Sequence, residues 1–460
     1  MTRECSKNIM PDSITGMVFA LEGVRNAVVL LNGPMGCKFY HSTTSQFLSI
    51  RPVLFMNDEK SGQRVPVDYN YLNDYFFRQP RVPSTYLDGY DYVYGTADKV
   101  RQALQFIRSN LHVELAGVIN SPGASLIGDN LKEIIAEELP DLPVVMIESP
   151  GFSEDFSSGY SRAALELLKQ PGFLTRSEPA DPRVTENANG PAVNLLGLSL
   201  WHRYAEGDRE ELKRILAEAG IHVNCCLCSD CTVSEIRRIT DAQLNVVIYP
   251  EAGLAQAEYL KETFGMDFVV LPEIPVGFDA AEQLMRAIVD ALNDAYGTAA
   301  NRLAAFREDA EKARALAWYR INDINLMYGL PRGVRFAVTG DGSICLAYSR
   351  FFMEYLGMIP DAIEVNGIST PEADRALQAL VRRFHAEGSL KKRAVDSQAE
   401  LVFSDANTIA ELMLKNRSFC GIEISLPGMG YTDIIPKTHL GVKGALFLIE
   451  QVLNGLMSRL

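Results

Sequence analysis

No apolar run in this 460-residue chain reaches the roughly 18–20 residues that would span a bilayer, so no membrane helix and no membrane partner are expected. The opening residues, MTRECSKNIMPDS, contain no apolar core of a secretory signal, and the cytoplasm is the default compartment. Basic residues are in the minority: 44 Lys and Arg stand against 58 Asp and Glu, a net charge of −14. A general nucleic-acid binder needs the opposite balance to neutralise phosphates, so no nucleic-acid partner is expected. There is no G-x-x-x-x-G-K-[ST], which excludes ATP hydrolysis through a P-loop in this chain. The six histidines are scattered and none forms an H-x-x-x-H pair. His439, in a polar loop before the last helical run, is expected to face solvent.

What is present is ordinary in bulk: 47% hydrophobic and 22% charged residues. A chain of this length is too large for one core, so two or three domains are expected. Apolar, β-branched runs alternate with amphipathic helical patterns, as βαβ units and parallel sheets require. Expected strands are Ala27–Leu31, Ala116–Asn120, Pro143–Ile147, Val193–Ser199, His222–Cys226, Asn245–Tyr249, Asp267–Leu271, Arg335–Thr339, Leu401–Ser404 and Gly421–Ser425. The stretch Gln170–Pro191 is rich in Pro, Asn, Ser, Asp and Glu and reads as a linker. A second break follows a long helical segment that ends near Met327, where YGLPRG precedes a new strand. The fold class is therefore α/β, with three parallel-sheet domains over 1–185, 186–327 and 328–460. Open parallel sheets bind ligands beyond the carboxyl ends of their strands, so loops at those ends are where chemistry is sought.

Eight cysteines in a reducing compartment are not expected to pair as structural disulfides. Cys345 and Cys420 sit singly in apolar runs and read as inert thiols. Cys37 ends N32-G-P-M-G-C37, a turn directly after an expected strand. The glycines at 33 and 36 let the backbone approach a bulky ligand, and a thiolate there would be stabilised by a metal. Cys5 and Asp12 are possible companions, although a terminal thiol and a helix cap explain them equally well. The densest group is C225-C-L-C-S-D-C231, four cysteines in seven residues at a strand end. Its C-x-x-C unit, Cys228 and Cys231, suits zinc or an iron–sulfur cluster, and Cys226 and Cys228 lie two apart on a strand end. A thioredoxin-type redox pair is the third reading. The turn T339-G-D-G-S343 reads as a simple βα connection, because a lone G-x-G is weak evidence for a nucleotide site.

In order and spacing, GMVFALEGVRNAVVLLNGPMGC (16–37), STYLDGYDYVYGTADKVRQAL (84–104), SPGASLIGDN (121–130), SDCTVSEIRRI (229–239), RFAVTGDGSICLAYSRFFMEYLGM (335–358) and THLGVKGAL (438–446) make the chain resemble the nitrogenase component 1 superfamily. The likeness runs nearly end to end. It implies three Rossmann-like parallel-sheet domains around a central cleft. Cys37 matches the family's central cluster-ligating cysteine at a subunit interface. The first interface cysteine falls at Asp12, and some protochlorophyllide reductases also use an aspartate there; Cys5 is the alternative. The third falls at Ser121 or Pro122 and is lost. The resemblance thus implies a 4Fe–4S cluster shared with a second chain, paralogous or identical, and electrons supplied by an ATP-dependent P-loop iron–sulfur partner to a substrate or metal centre in the inter-domain cleft. The cofactor-holding cysteine of dinitrogenase falls at Tyr249, and its histidine falls near Tyr431, so ligands for an iron–molybdenum-type cofactor are absent from their usual places. Cys225, Cys226, Cys228 and Cys231 have no counterpart in the family and are read as an additional metal site. A cluster-assembly scaffold, or a structural zinc protein on the same fold, are the competing functions; turnover dependent on partner and ATP separates the first, and metal analysis the second.

Overall fold

The computed structural model describes residues 10–38, 55–57, 64–66, 82–149, 154–174, 190–296, 299–428 and 433–459. The linker expected at Gln170–Pro191 lies mostly outside these residues, and Cys5 and Tyr431 lie wholly outside them. The chain forms two compact units, one of Pro11–Ser177 with Cys225–Asp241, the other of Met1–Met10, Glu178–Asn224 and Ala242–Leu460. Among the described residues no helix is long and apolar enough to cross a membrane.

The unit containing Pro11–Ser177 is built on β1 (Ala27–Asn32), β5 (Leu115–Asn120) and β6 (Val144–Glu148), parallel and in the order β1-β5-β6. A smaller antiparallel sheet joins β2 (Phe55–Asn57), β3 (Arg64–Pro66) and β4 (Leu111–His112). Every residue of β1 and β5 is buried, as expected of strands covered on both faces. Register puts Asn32 beside Asn120 and Asn120 beside Glu148, so three polar side chains end the sheet in one row. The helix Ser13–Glu22 is buried along its whole length. It crosses the helix Phe156–Leu168 at backbone contact distance, because glycines meet there. A Cβ at Gly16 would stand 2.0 Å from the Phe156 carbonyl oxygen, and one at Gly159 would stand 1.9 Å from that of Ser13. No larger residue fits either position.

The other unit holds two four-stranded parallel sheets. One runs β10-β9-β7-β8, from β7 (Ala192–Leu196), β8 (His222–Cys226), β9 (Leu244–Val247) and β10 (Phe268–Val270). The other runs β12-β11-β13-β14, from β11 (Arg335–Gly340), β12 (Ile359–Val365), β13 (Leu401–Ser404) and β14 (Cys420–Glu423). In each, the chain leaves the first-formed strand in one direction and later returns to its other side. The resulting switch points lie between β7 and β9 and between β11 and β13, where open sheets form ligand crevices. β7 stops short of the run that reads as strand, because Gly197 turns the backbone to φ +84°.

Three parallel sheets are thus present, and the α/β class holds. β12 is the parallel strand that the sequence does not announce. Pro360 and Asp361 interrupt its apolar pattern, and the ladder shifts register at the facing Phe336 and Ala337. Such residues are tolerated on an edge strand, which is where β12 lies.

Candidate metal centre

Cys37 sits in a short 3-10 turn, Met35–Lys38, directly beyond β1. The amide of Cys37 donates to the Pro34 carbonyl at 3.2 Å. Around it the turn is fixed by side chains from neighbouring segments. The Gly33 amide donates to Thr85 Oγ1 at 3.1 Å, and Ser84 Oγ donates to the Gly33 carbonyl at 2.9 Å. Thr85 Oγ1 also donates to Asn32 Oδ1, and Asn32 Nδ2 donates to Asn120 Oδ1 and Thr96 Oγ1, so the end of β1 is tied to β5 and to the next helix. Gly33 has no room for a side chain: a Cβ would lie 2.9 Å from the Ser121 side chain and 3.8 Å from Cys37 Sγ. Glycine here lets Cys37 and Ser121 approach one another.

Asp12 caps the buried helix Ser13–Glu22. Its Oδ1 accepts from the Thr15 amide at 2.9 Å and from Thr15 Oγ1 at 2.7 Å. Both capping bonds fall on one oxygen, which leaves Oδ2 to face other groups. Asp12 and Cys37 share a neighbourhood. Burial first, and the Asp12 carboxylate second, push the Cys37 thiol up to about 11 from 9.0. The nearby Tyr92 hydroxyl is raised by burial and then by the negative charge of an ionised Cys37. With no cation present the thiol therefore keeps its proton. A bound metal would displace it, because a thiolate, not a thiol, is the ligand. The residues fit such a group: the soft Cys37 sulfur and the Ser121 side chain stand beside Gly33, and the Asp12 carboxylate is close enough for its charge to act on the thiol. They are too few to complete four-fold ligation, so a second chain would have to supply the rest.

The surface next to this turn is apolar. Tyr90, Val93, Tyr94 and Leu126 are 68%, 72%, 71% and 89% exposed, and the Tyr90 and Tyr94 rings pair at 4.3 Å. Tyr92, between them, reaches back to Gly123, where a Cβ would be 3.0 Å from its hydroxyl.

Cys225, Cys226, Cys228 and Cys231 are buried thiols. The loop is held against the end of the helix Ser13–Glu22. The Cys231 amide donates to the Gly23 carbonyl at 3.1 Å, and Arg25 grips Asp230 through two bonds of 2.9 Å. Tyr160, whose ring is buried, donates its hydroxyl to the Leu227 carbonyl at 3.1 Å. Cys228 and Asp230 adopt φ of 56° and 62°, which folds the segment back on itself. The Cys225 thiol is pushed well up, first by its hydrogen bond with Cys231 and then by burial; the Cys228 thiol is pushed well up by burial. Among the described residues, no three His, Cys, Asp or Glu side chains are grouped as a metal ion requires.

The other positions singled out by sequence resolve differently. Cys345 is fully buried and Cys420 is half-buried on the edge strand β14. The T339-G-D-G-S343 turn is a βα connection whose helix start is already occupied. Glu251 accepts from the Ser343 amide at 2.8 Å and from Ser343 Oγ at 2.7 Å, where an anion would otherwise bind. The expectation for His439 is corrected: its exposure is 0%. It lies with Tyr249 at the β7–β9 switch point. Tyr348 and Tyr249 place their hydroxyls 2.6 Å from its Nδ1 and 3.0 Å from its Nε2, and Asp208 Oδ2 lies 3.1 Å from Nε2. The two ring nitrogens share hydrogen bonds with the two tyrosine hydroxyls, while Asp208 Oδ2 is buried in ion-pair range of Nε2 without a hydrogen bond of its own. His202 stacks on Tyr249 at 3.9 Å and accepts from the Ser199 amide at 3.2 Å. Sequence missed this cluster because its members come from five separate segments, and isolated Tyr, His and Asp residues carry no spacing signal.

Residues 13–457 match the family model described as nitrogenase component 1 type oxidoreductase. The chain belongs to that family. A light-independent protochlorophyllide reductase subunit from Synechococcus sp. (strain CC9902) is 28% identical over 376 residues, which cover 79% of this chain and 61% of that protein. The protein of the same name from Synechococcus sp. (strain CC9605) is 28% identical over 427 residues, covering 88% and 73%. The chain thus spans about three-fifths of the length of the first curated relatives it matches. A solved structure, nitrogenase Cp1 at pH 6.5, superposes with a TM-score of 0.72 over 98% of this chain and 92% of that one, at 17% identity. That likeness shows the fold: a component 1 fold in which the site at Cys37 follows the first strand.

Proposed function

We propose that the chain is one subunit of a nitrogenase-like two-component reductase. It holds a 4Fe–4S-type cluster through Cys37 and Asp12, shared with a second subunit that is paralogous or identical. Such a cluster supplies one-electron transfer. The chain's own residues set the conditions for it: Asp12 and Cys37 provide anionic ligands, Gly33 leaves the space, and the Asn32–Thr85–Asn120 network holds the turn rigid. Electrons would arrive from an ATP-dependent P-loop iron–sulfur partner, since this chain carries no nucleotide loop of its own. The exposed Tyr90, Val93, Tyr94 and Leu126 beside the turn favour protein contact there, because contiguous apolar surface of this kind is seldom left bare.

The observation that carries the proposal is Cys37 beside the side-chain-free Gly33 at a strand end of a component 1 fold, with the Asp12 charge acting on its thiol. The experiment is anaerobic mixing of the purified chain and its second subunit with the P-loop partner. Bleaching of the cluster's visible absorption should need both partner and MgATP, and bleaching without either one would exclude the two-component scheme. Protochlorophyllide, the compound in the relatives' names, is the first substrate to test.

A further inference from the structure

Two cations stand beyond the carboxyl end of β7, where open sheets take their ligands. Arg203 comes from the turn after that strand, and its guanidinium lies 4.6 Å from the centre of the Tyr204 ring. Tyr204 holds φ +65°, a conformation that residues with a Cβ seldom adopt, so the turn is kept at a cost. Its hydroxyl donates to the Glu423 carbonyl at 3.3 Å, which ties the turn to the end of β14. Lys437 places its Nζ 5.7 Å from the Phe447 ring, and that ring meets the Tyr204 ring edge-on at 5.3 Å. The Lys437 backbone is pressed onto the helix Ala205–Glu218: a Cβ at Gly207 would stand 2.1 Å from its carbonyl oxygen. Both cations are thus fixed on one aromatic wall.

Asp433 lies between them. Its Oδ2 is 2.6 Å from Arg203 Nη1, and its Oδ1 is 2.9 Å from Lys437 Nζ. The residues that follow it, Ile434 and Ile435, are 93% and 67% exposed, so the two ion pairs hold a bare apolar segment. The guanidinium is not saturated. A carboxylate commonly takes two parallel N–H bonds from an arginine. Asp433 meets Nη1, while Nε is buried without a hydrogen bond, in a side chain that is 11% exposed. A buried donor left unmade is costly, and it marks a place for an acceptor that this chain does not supply.

We infer that Arg203 and Lys437 recognise the carboxylate of a largely apolar small molecule, and that Asp433 occupies their site until that ligand arrives. A ligand carboxylate replaces the Asp433 carboxylate like for like, so the charge between the cations is conserved. It also supplies the acceptor that Nε lacks. The apolar body of the ligand meets Tyr204, Phe447 and the isoleucines released with Asp433. The site shares no residue with the turn at Cys37 and stands whether or not the iron–sulfur reading holds.

The test is a fluorescence titration of the full-length chain with pyrenebutyrate, a carboxylate on an apolar ring system, and with its uncharged methyl ester. The acid should bind about 10-fold tighter than the ester or more, the gain expected of hydrogen bonds to a charged group. Arg203→Met should bring the acid down to the affinity of the ester. Asp433→Asn, at a half-buried position where an amide keeps the shape, removes the competing charge. It should tighten the acid by at least about 3-fold and leave the ester unchanged. This second variant decides the matter even where circular dichroism shows that Arg203→Met has not folded. Equal affinities of the parent chain for acid and ester, or no binding of either, would overturn the inference. So would an Asp433→Asn variant that binds the acid no tighter than the parent.

Discussion

Acid should weaken this protein through His202. The imidazole is buried, stacked on Tyr249, and accepts the Ser199 amide on one nitrogen. Burial first, and the charge His439 would carry second, hold it down at about 3, against an ordinary 6.5. In the window between those values the unfolded chain binds a proton that the folded chain refuses. Stability is therefore full above pH 6.5 and falls as pH drops below it. Between pH 7 and pH 5 the loss is about 2 kcal/mol, at 1.36 kcal/mol for each pH unit below 6.5. Glu273, whose carboxyl is raised by burial, titrates with the opposite sign. The quantity to read is thus the difference between the parent chain and His202→Asn, which keeps an acceptor for the Ser199 amide. Urea unfolding followed by the fluorescence of the buried Trp201 reports on the same unit. The parent should lose about 2 kcal/mol more than the variant between pH 7 and pH 5. Equal losses would refute the assignment of His202 as a neutral, sequestered imidazole.

Replacing Gly16 by Ala puts a methyl into the Phe156 carbonyl, and should destabilise the crossing of its two helices by roughly 3 kcal/mol or more, read as a lower unfolding midpoint. Tyr348→Phe removes the 2.6 Å bond to His439 Nδ1 in a buried site, and should cost about 1–3 kcal/mol in the same assay. If Cys226, Cys228 and Cys231 hold a metal, serine at all three should remove a defined metal fraction while the Cys37 cluster persists, whereas unchanged iron and zinc content per chain would leave them as packed thiols. Loss of a stoichiometric metal from that variant would establish a second centre.

The three parallel sheets were legible because buried parallel strands are uniformly apolar. β1 and β5 fall where Ala27–Leu31 and Ala116–Asn120 place them, to within a residue. β12 was not legible, since Pro360 and Asp361 break the period that marks a strand. At the candidate metal centre, the turn around Cys37 could be read from its glycines, but the role of Ser84, Thr85 and Ser121 in holding it could not. Those residues reach Gly33 and Cys37 only through folding, across separations of 51 or more positions. His439 shows the converse limit. A polar local sequence reads as exposed, yet residues 438–440 are buried, where Asp208 accepts from the Thr438 hydroxyl and the His439 amide.

The central claim is that Cys37 anchors an iron–sulfur cluster. Iron per chain and the visible absorption of anaerobically purified protein, compared between the parent chain and Cys37→Ala, test it most directly. The account predicts cluster-level iron and a broad visible band in the parent, with both lost in the variant while the fold persists by circular dichroism. Full iron and an unchanged band in Cys37→Ala would contradict it.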